Sequence, residues 1–223
     1  MTVSTNTWIK YRHFIVNRHY LKKRFNLKFI AGIIKKIFFE SKNKGQPWLT
    51  SDSLKILSNW IKSDDVVLEF GSGQSTLWFA KITNKVTSVE HDPEWFKSTQ
   101  KSLKDISHNV NLILAKNKVD YLKVIKTFRD SSIDICLIDG EWRRDCLLGV
   151  FKKIKVGGTI ILDNAETFLP IEWPSISFQD NWQQRGSPEK NKIVKINKEL
   201  KKWRIISTSD VSQNTVLFIK KSD

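Results

Sequence analysis

The apolar run Val66-Val67-Leu68-Glu69-Phe70 passes directly into Gly71-Ser72-Gly73, and a helix-forming segment, Ser75–Ile82, follows at once. Glycines at such a junction permit a tight turn and let the backbone approach a neighbour closely. The unit repeats along the chain. Val86–Val89, Val110–Ala115, Ile133–Ile138 and Thr159–Leu162 are further short apolar runs, the last preceded by a Gly157-Gly158 turn. Helical segments separate them: one starting at Asp92-Pro93-Glu94, one over Val119–Phe128 and one over Arg144–Ile154. Asp92 suits a helix cap, Pro93 the first turn, and Glu94 the positive end of the helix dipole. Strands alternating with helices at this spacing build a parallel sheet with helices on both faces. Trp203–Ser207 and Thr215–Ile219 break the rhythm. Polar turn residues separate them, so they pair as an antiparallel hairpin and bring the expected strands to seven.

Ahead of this pattern, Ser41-Lys42-Asn43-Lys44-Gly45-Gln46-Pro47 is a polar stretch of turn formers. It divides the chain into an arm, residues 1–45, and an α/β domain, residues 46–223. The arm carries eleven Lys or Arg against Glu40 alone, which is most of the chain's net charge of +15. From Leu27 onward Phe29, Ile30, Ile33, Ile34, Ile37 and Phe38 recur at helical spacing, with Lys28, Lys35 and Lys36 between them. This is a basic amphipathic helix. Residues 8–39 suit peripheral contact with an acidic membrane, contact with nucleic acid, packing on the α/β domain, or packing on a second copy in a homodimer. A further helix opens at Ser51 or Asp52 and aligns Leu54, Leu57, Trp60 and Ile61. The two cysteines, Cys136 and Cys146, exclude a disulfide framework and fit a reducing compartment. No apolar stretch has the roughly 18–20 residues of a membrane span, and the start lacks the features of a secretory signal. The expected location is the cytoplasm, with membrane association through the arm as an open alternative.

Ligands of a doubly wound sheet bind beyond the carboxyl ends of its strands, where the strand order switches. Gly71-Ser72-Gly73 sits at such an end. Glu90 closes the second strand, where an acid accepts hydrogen bonds from ribose hydroxyls. A dinucleotide site would share this acid. Its fingerprint, however, has glycine or alanine at the sixth position, and Thr76 stands there. The ordered set Leu68-Glu69-Phe70-Gly71-Ser72-Gly73-Gln74-Ser75-Thr76, Ser88-Val89-Glu90-His91-Asp92, Ile138-Asp139-Gly140 and Leu162-Asp163-Asn164 resembles the motifs of class I S-adenosylmethionine-dependent methyltransferases. The resemblance spans about residues 48–223. It implies a Rossmann-like, doubly wound, mostly parallel seven-stranded sheet with a C-terminal antiparallel hairpin. It further implies that Glu69, Gly71, Ser72 and Gly73 line the methionine and ribose portion of the cofactor. Glu90 would hold the ribose hydroxyls, His91 would lie near the adenine, and Lys116 and Asn117 would edge the adenine pocket. Asp139 would sit beside the reacting centre.

Two mechanisms fit these residues. In one, Asp139, Asp163 and Asn164 form an oxygen-rich site for magnesium or another divalent metal, similar to the ligand set of metal-dependent O-methyltransferases. Those enzymes place a lysine where this chain has Arg143 and Arg144, which cannot act as bases. In the other, no metal is used and Glu141, Asp163 or Glu166 is the base. The expected acceptor is a hydroxyl of a small molecule or glycan, covered by the segment from Glu166 to Asn191 with Phe168, Trp173, Phe178 and Trp182. A nucleic-acid methyltransferase and a membrane-attached, non-catalytic binding protein are the alternatives. The absence of a Pro-Pro-aromatic element after Asp163-Asn164, and the placing of the charge in the arm, argue against a nucleic-acid partner.

Overall fold

The computed structural model describes residues 45–104, 109–169, 187–210 and 213–221. The expected helix of the basic arm, together with Trp173, Phe178 and Trp182, lies outside the described residues. Among these residues the chain runs α1 (Ser51–Trp60), β1 (Val66–Phe70), α2 (Gln74–Ile82), β2 (Lys85–Glu90), α3 (Pro93–Leu103), β3 (Val110–Leu114) and α4 (Lys118–Lys123). It continues with β4 (Ile133–Ile138), α5 (Arg143–Val150), β5 (Ile154–Asp163), α6 (Ser187–Leu200), β6 (Arg204–Asp210) and β7 (Gln213–Ile219). One seven-stranded sheet results, in the order β3-β2-β1-β4-β5-β7-β6. Strands β1 to β5 are mutually parallel, β7 runs antiparallel to β5, and β6 pairs antiparallel with β7. This is the doubly wound sheet with the terminal hairpin that the strand spacing implied.

Both faces of the sheet are covered, so its central strands are apolar throughout rather than alternating. Leu68, Phe70, Cys136 and Ile138 contribute to one core cluster with Tyr121, Leu147 and Phe218. Val67, Ile135, Leu137 and Ile161 contribute to the other with Leu54, Leu57 and Phe79. The helix starts are set locally. The Asp92 carboxylate accepts from the N–H groups of Glu94 and Trp95, both at 2.8 Å, and Pro93 follows it. Asn117 caps α4 by accepting from Asp120 N–H at 3.0 Å.

Two elements differ from the reading of the sequence. Ile154 begins β5 rather than ending a helix. The strand bulges between its pairings Ile133↔Ile154 and Ile135↔Thr159, and Gly157 turns there at φ +80°. The glycines therefore lie inside a strand, where a bulge needs one residue of left-handed conformation. The second difference is α6, which takes up the end of the stretch read as a covering loop. Ile193, Ile196 and Leu200 form its buried stripe, and Lys192 ties it to Asp145 of α5 at 3.0 Å.

The ends of β1 and β4 meet backbone to backbone. Gly71 has φ +97°, and a β-carbon there would lie 2.7 Å from Gly140 N. A β-carbon on Gly140 would lie 2.2 Å from the Tyr121 hydroxyl oxygen and 2.8 Å from Gly71 N. Backbone on one side and a fully buried tyrosine on the other leave no direction of relief. Gly140→Ala is expected to lower stability by about 1–3 kcal/mol, read as a lower urea midpoint with an unchanged m-value.

Candidate active site

Strand order reverses between β1 and β4, and a cavity of about 420 Å³ opens there above the carboxyl ends of the strands. Its lining comprises the turn Gly71-Ser72-Gly73-Gln74-Ser75, the β2 end Glu90-His91-Asp92, then Asp139, Gly140, Arg143 and Asn164, with Trp48 and Trp95. The volume lies in the range of small-molecule sites. Of the expected residues, Gly71, Ser72, Gly73, Glu90, His91, Asp139 and Asn164 meet around this space. Glu69, Asn117, Glu141 and Asp163 are not among its walls.

Glu69 supports the turn from below. It is completely buried, and one carboxylate oxygen accepts from the Thr76 and Ser88 hydroxyls, each at 2.5 Å. Thr76 Oγ1 in turn accepts from Gly73 N–H at 2.9 Å. Thr76, too bulky for a dinucleotide turn, thus bridges the glycine loop to the buried acid. Burial raises the Glu69 carboxyl to about 7, against the lowering effect of its hydroxyl donors.

Glu90 is also buried, but hydrogen-bonded along both oxygens. One accepts from the N–H and hydroxyl of Ser72, at 2.9 and 3.1 Å; the other accepts from the N–H groups of His91 and Asp92, at 2.8 and 2.9 Å. The acid that was expected to face ribose therefore also fastens the glycine loop to the start of α3. His91 lies against an aromatic group, edge-on to Tyr121 and Trp142 with centroids 6.5 and 6.1 Å away. Trp142 itself is held in the left-handed region at φ 49°. The tryptophans at the mouth escaped the reading of the sequence. Trp95 Nε1 donates to the Ser72 carbonyl, and its ring lies 6.4 Å from that of Trp48. The helix cap at Asp92 could have signalled this, because it fixes Trp95 in the first turn beside the loop.

The expected metal ligands are arranged differently. Asp163 is buried, and its Oδ1 accepts from the Thr215 hydroxyl at 2.7 Å. Asn164 is left-handed at φ 48°. Between Asp139 and Asp163 lies the Arg143 guanidinium. It donates to the carbonyls of Gly140, Asp163 and Asp139 at 2.9, 2.6 and 2.8 Å, and pairs with Asp139 Oδ1 at 2.9 Å. Among the described residues no group of three or more His, Cys, Asp and Glu is placed to hold a metal ion. The residues as arranged do not fit a divalent metal, since a cation already fills the space and the second carboxylate points elsewhere.

The base candidates divide in the same way. Glu141 is exposed, and Asn117, expected at the adenine, is spent on its helix cap. Glu166 is buried and accepts from Asn214 N–H and Nδ2 at 3.1 and 3.2 Å, and burial raises its carboxyl. None of these three borders the cavity; Asp139, expected beside the reacting centre, does.

Residues 68–165 match the family model described as a methyltransferase domain. The search of curated proteins gave no match. Among solved structures, a protein from Clostridium thermocellum described as an rRNA methylase superposes with a TM-score of 0.54 at 18% identity, covering 77% of this chain and 95% of that one. An rRNA methylase from Streptococcus thermophilus gives 0.53 at 11% identity, over 77% and 95%. A Streptococcus mutans protein described as a methyltransferase, in complex with S-adenosylhomocysteine, gives 0.50 at 13%, over 74% and 93%. The chain thus shares the fold of these methyltransferases. These neighbours overturn the expectation that nucleic acid is an improbable partner, since the same fold serves proteins described as rRNA methylases.

Glu69 provides a test of the support beneath the loop. Its carboxyl is raised in the folded state, so the folded chain binds the extra proton between the ordinary carboxylate range and about 7. Stability is expected to fall as pH rises through that window and to level off above it. Melting temperatures across this range should show the decline in the wild type, and Glu69→Gln should remove it.

Proposed function

We propose that the chain transfers the methyl group of S-adenosylmethionine to RNA. The observation that carries the first half is the cavity at the β1/β4 switch point, walled by the glycine turn, Glu90 and Asp139 within the segment that matches a methyltransferase domain. The turn offers backbone without side chains against the ligand, and the Glu90 carboxylate suits its ribose hydroxyls. The bound cofactor supplies an electrophilic methyl on a sulfonium. Asp139 borders the cavity and is 31% exposed, which supports it as the group that accepts a hydrogen bond from the attacking atom.

Support for RNA comes from charge and from the structural neighbours. A chain with net charge +15 carries the footprint of a polyanion binder. The charge is not confined to the arm: α6 and the turn after it expose Lys190, Lys195, Lys198, Lys201 and Lys202. The neighbours described as rRNA methylases share this fold and support that reading.

Incubation of the purified chain with tritiated S-adenosylmethionine and unmethylated total RNA is the direct test. Label is expected in RNA, with apparent affinity falling steeply as salt rises, because each phosphate contact releases counterions. Asp139→Asn is expected to slow transfer by about 10²-fold or more while cofactor affinity stays close to wild type. Cofactor binding with label only in a small-molecule extract would overturn the RNA reading.

A further inference from the structure

Arg143 has the surroundings of a bound ion. Its guanidinium is ringed by the carbonyl oxygens of Asp139, Gly140 and Asp163 and by Asp139 Oδ1, all within 2.6 to 2.9 Å. Oxygen donors of this kind are those a hard divalent cation takes. The outer side is closed by Phe168, whose ring centroid lies 4.8 Å from the guanidinium carbon. The side chain is only 13% exposed and still borders the cavity.

We propose that Arg143 is a built-in cation occupying the place of a metal, so that methyl transfer by this chain is metal-independent and Arg143 is the positioning residue for Asp139. Three features carry this. The planar fork satisfies three strand-end carbonyls at once, which fixes the carboxyl ends of β4 and β5 relative to each other. It also holds one oxygen of Asp139, leaving the other to meet the acceptor. Finally, the second carboxylate a metal would require, Asp163, is turned to Thr215 and closed off by burial. A divalent ion entering beside the guanidinium would meet a like charge with one carboxylate to offset both. Arginine takes no proton at any working pH, so it contributes charge and geometry without entering the proton transfer.

Asp139 as the residue that meets the acceptor rests on the proposed methyl transfer; the exclusion of metal does not. The test therefore has two arms. In the first, the full chain with S-adenosylhomocysteine is titrated with Mn²⁺ alone and followed by electron paramagnetic resonance. The expected result is no bound Mn²⁺ up to ~1 mM, a concentration that fills ordinary oxygen-ligand sites. One Mn²⁺ per chain, lost in Asp139→Asn, overturns the proposal.

In the second arm, transfer to total RNA is measured with and without EDTA. Chelation is expected to leave the rate unchanged. Arg143→Ala is expected to lower kcat by about 10²-fold with little change in the cofactor KM, and guanidinium ion at low, non-denaturing concentration to restore part of it. Arg143→Lys should not restore it, since an ammonium cannot span three carbonyls. Loss of activity in EDTA, or an Arg143→Ala kcat equal to wild type, overturns the proposal. If no RNA is labelled at all, the RNA reading fails, and the Mn²⁺ titration still decides the metal question.

Discussion

The structure turns on the contact between two glycines at the ends of neighbouring strands. Gly71 and Gly140 approach so closely that a β-carbon on either would collide with the backbone of the other. The Phe70 carbonyl accepts from Asp139 N–H at 2.9 Å, which keeps the strands paired up to this point. Beyond it the chains separate. One leads into α2 and the other into α5, and the parted loops leave the space in which a ligand can lie. Without that contact the sheet would still close, but its two halves would stand further apart, and Asp139 would no longer border the same cavity as the turn.

Two buried carboxylates hold the turn from different sides, and their surroundings separate their roles. Glu90 is given backbone and hydroxyl donors at both oxygens, so its charge is matched by fixed dipoles. Glu69 has one oxygen satisfied and the other, Oε1, buried without a partner. An unmatched buried carboxylate favours its protonated form. The acid at the ligand surface is therefore anchored at both oxygens, and the acid beneath it serves as a hydrogen-bonding strut.

Much of this was legible in the amino-acid sequence because local rules and global fold agree there. The Val66–Phe70 run, its glycines, and the Asp92-Pro93 cap each have one reading, and the sheet follows from their spacing. The misreadings have physical causes. Gly157-Gly158 signals a turn equally well as a bulge, and the distinction depends on pairing with β4 and on Lys220 across the sheet, which hydrogen-bonds to both glycines. The start of α6 was masked by the polar, aromatic stretch before it, although Ile193, Ile196 and Leu200 carry the helical period. Asp139, Asp163 and Asn164 had the composition of a ligand set. Where the two carboxylates point is decided by Thr215, from a strand that lies 52 residues further on, and by the guanidinium of Arg143. Arg143 itself was passed over because it cannot be a base; its value lies in what it can hold still.

Thr215 links parts of the chain made at very different times. Its hydroxyl donates to Asp163 at the end of β5 and accepts from the N–H of Thr50, 165 residues earlier. Thr50 and Ser53 then share the Thr208 hydroxyl of β6, at 2.5 and 2.6 Å. Contacts of such sequence separation form late in folding, because the chain must first close long loops. During synthesis the five parallel strands can therefore assemble first, with one edge of β5 unpaired and Asp163 lacking its partner. Only when the final hairpin emerges does β7 cover that edge, seat α1 and fix the floor beneath Arg143. The order of synthesis thus makes the acceptor end the last part of the molecule to become competent.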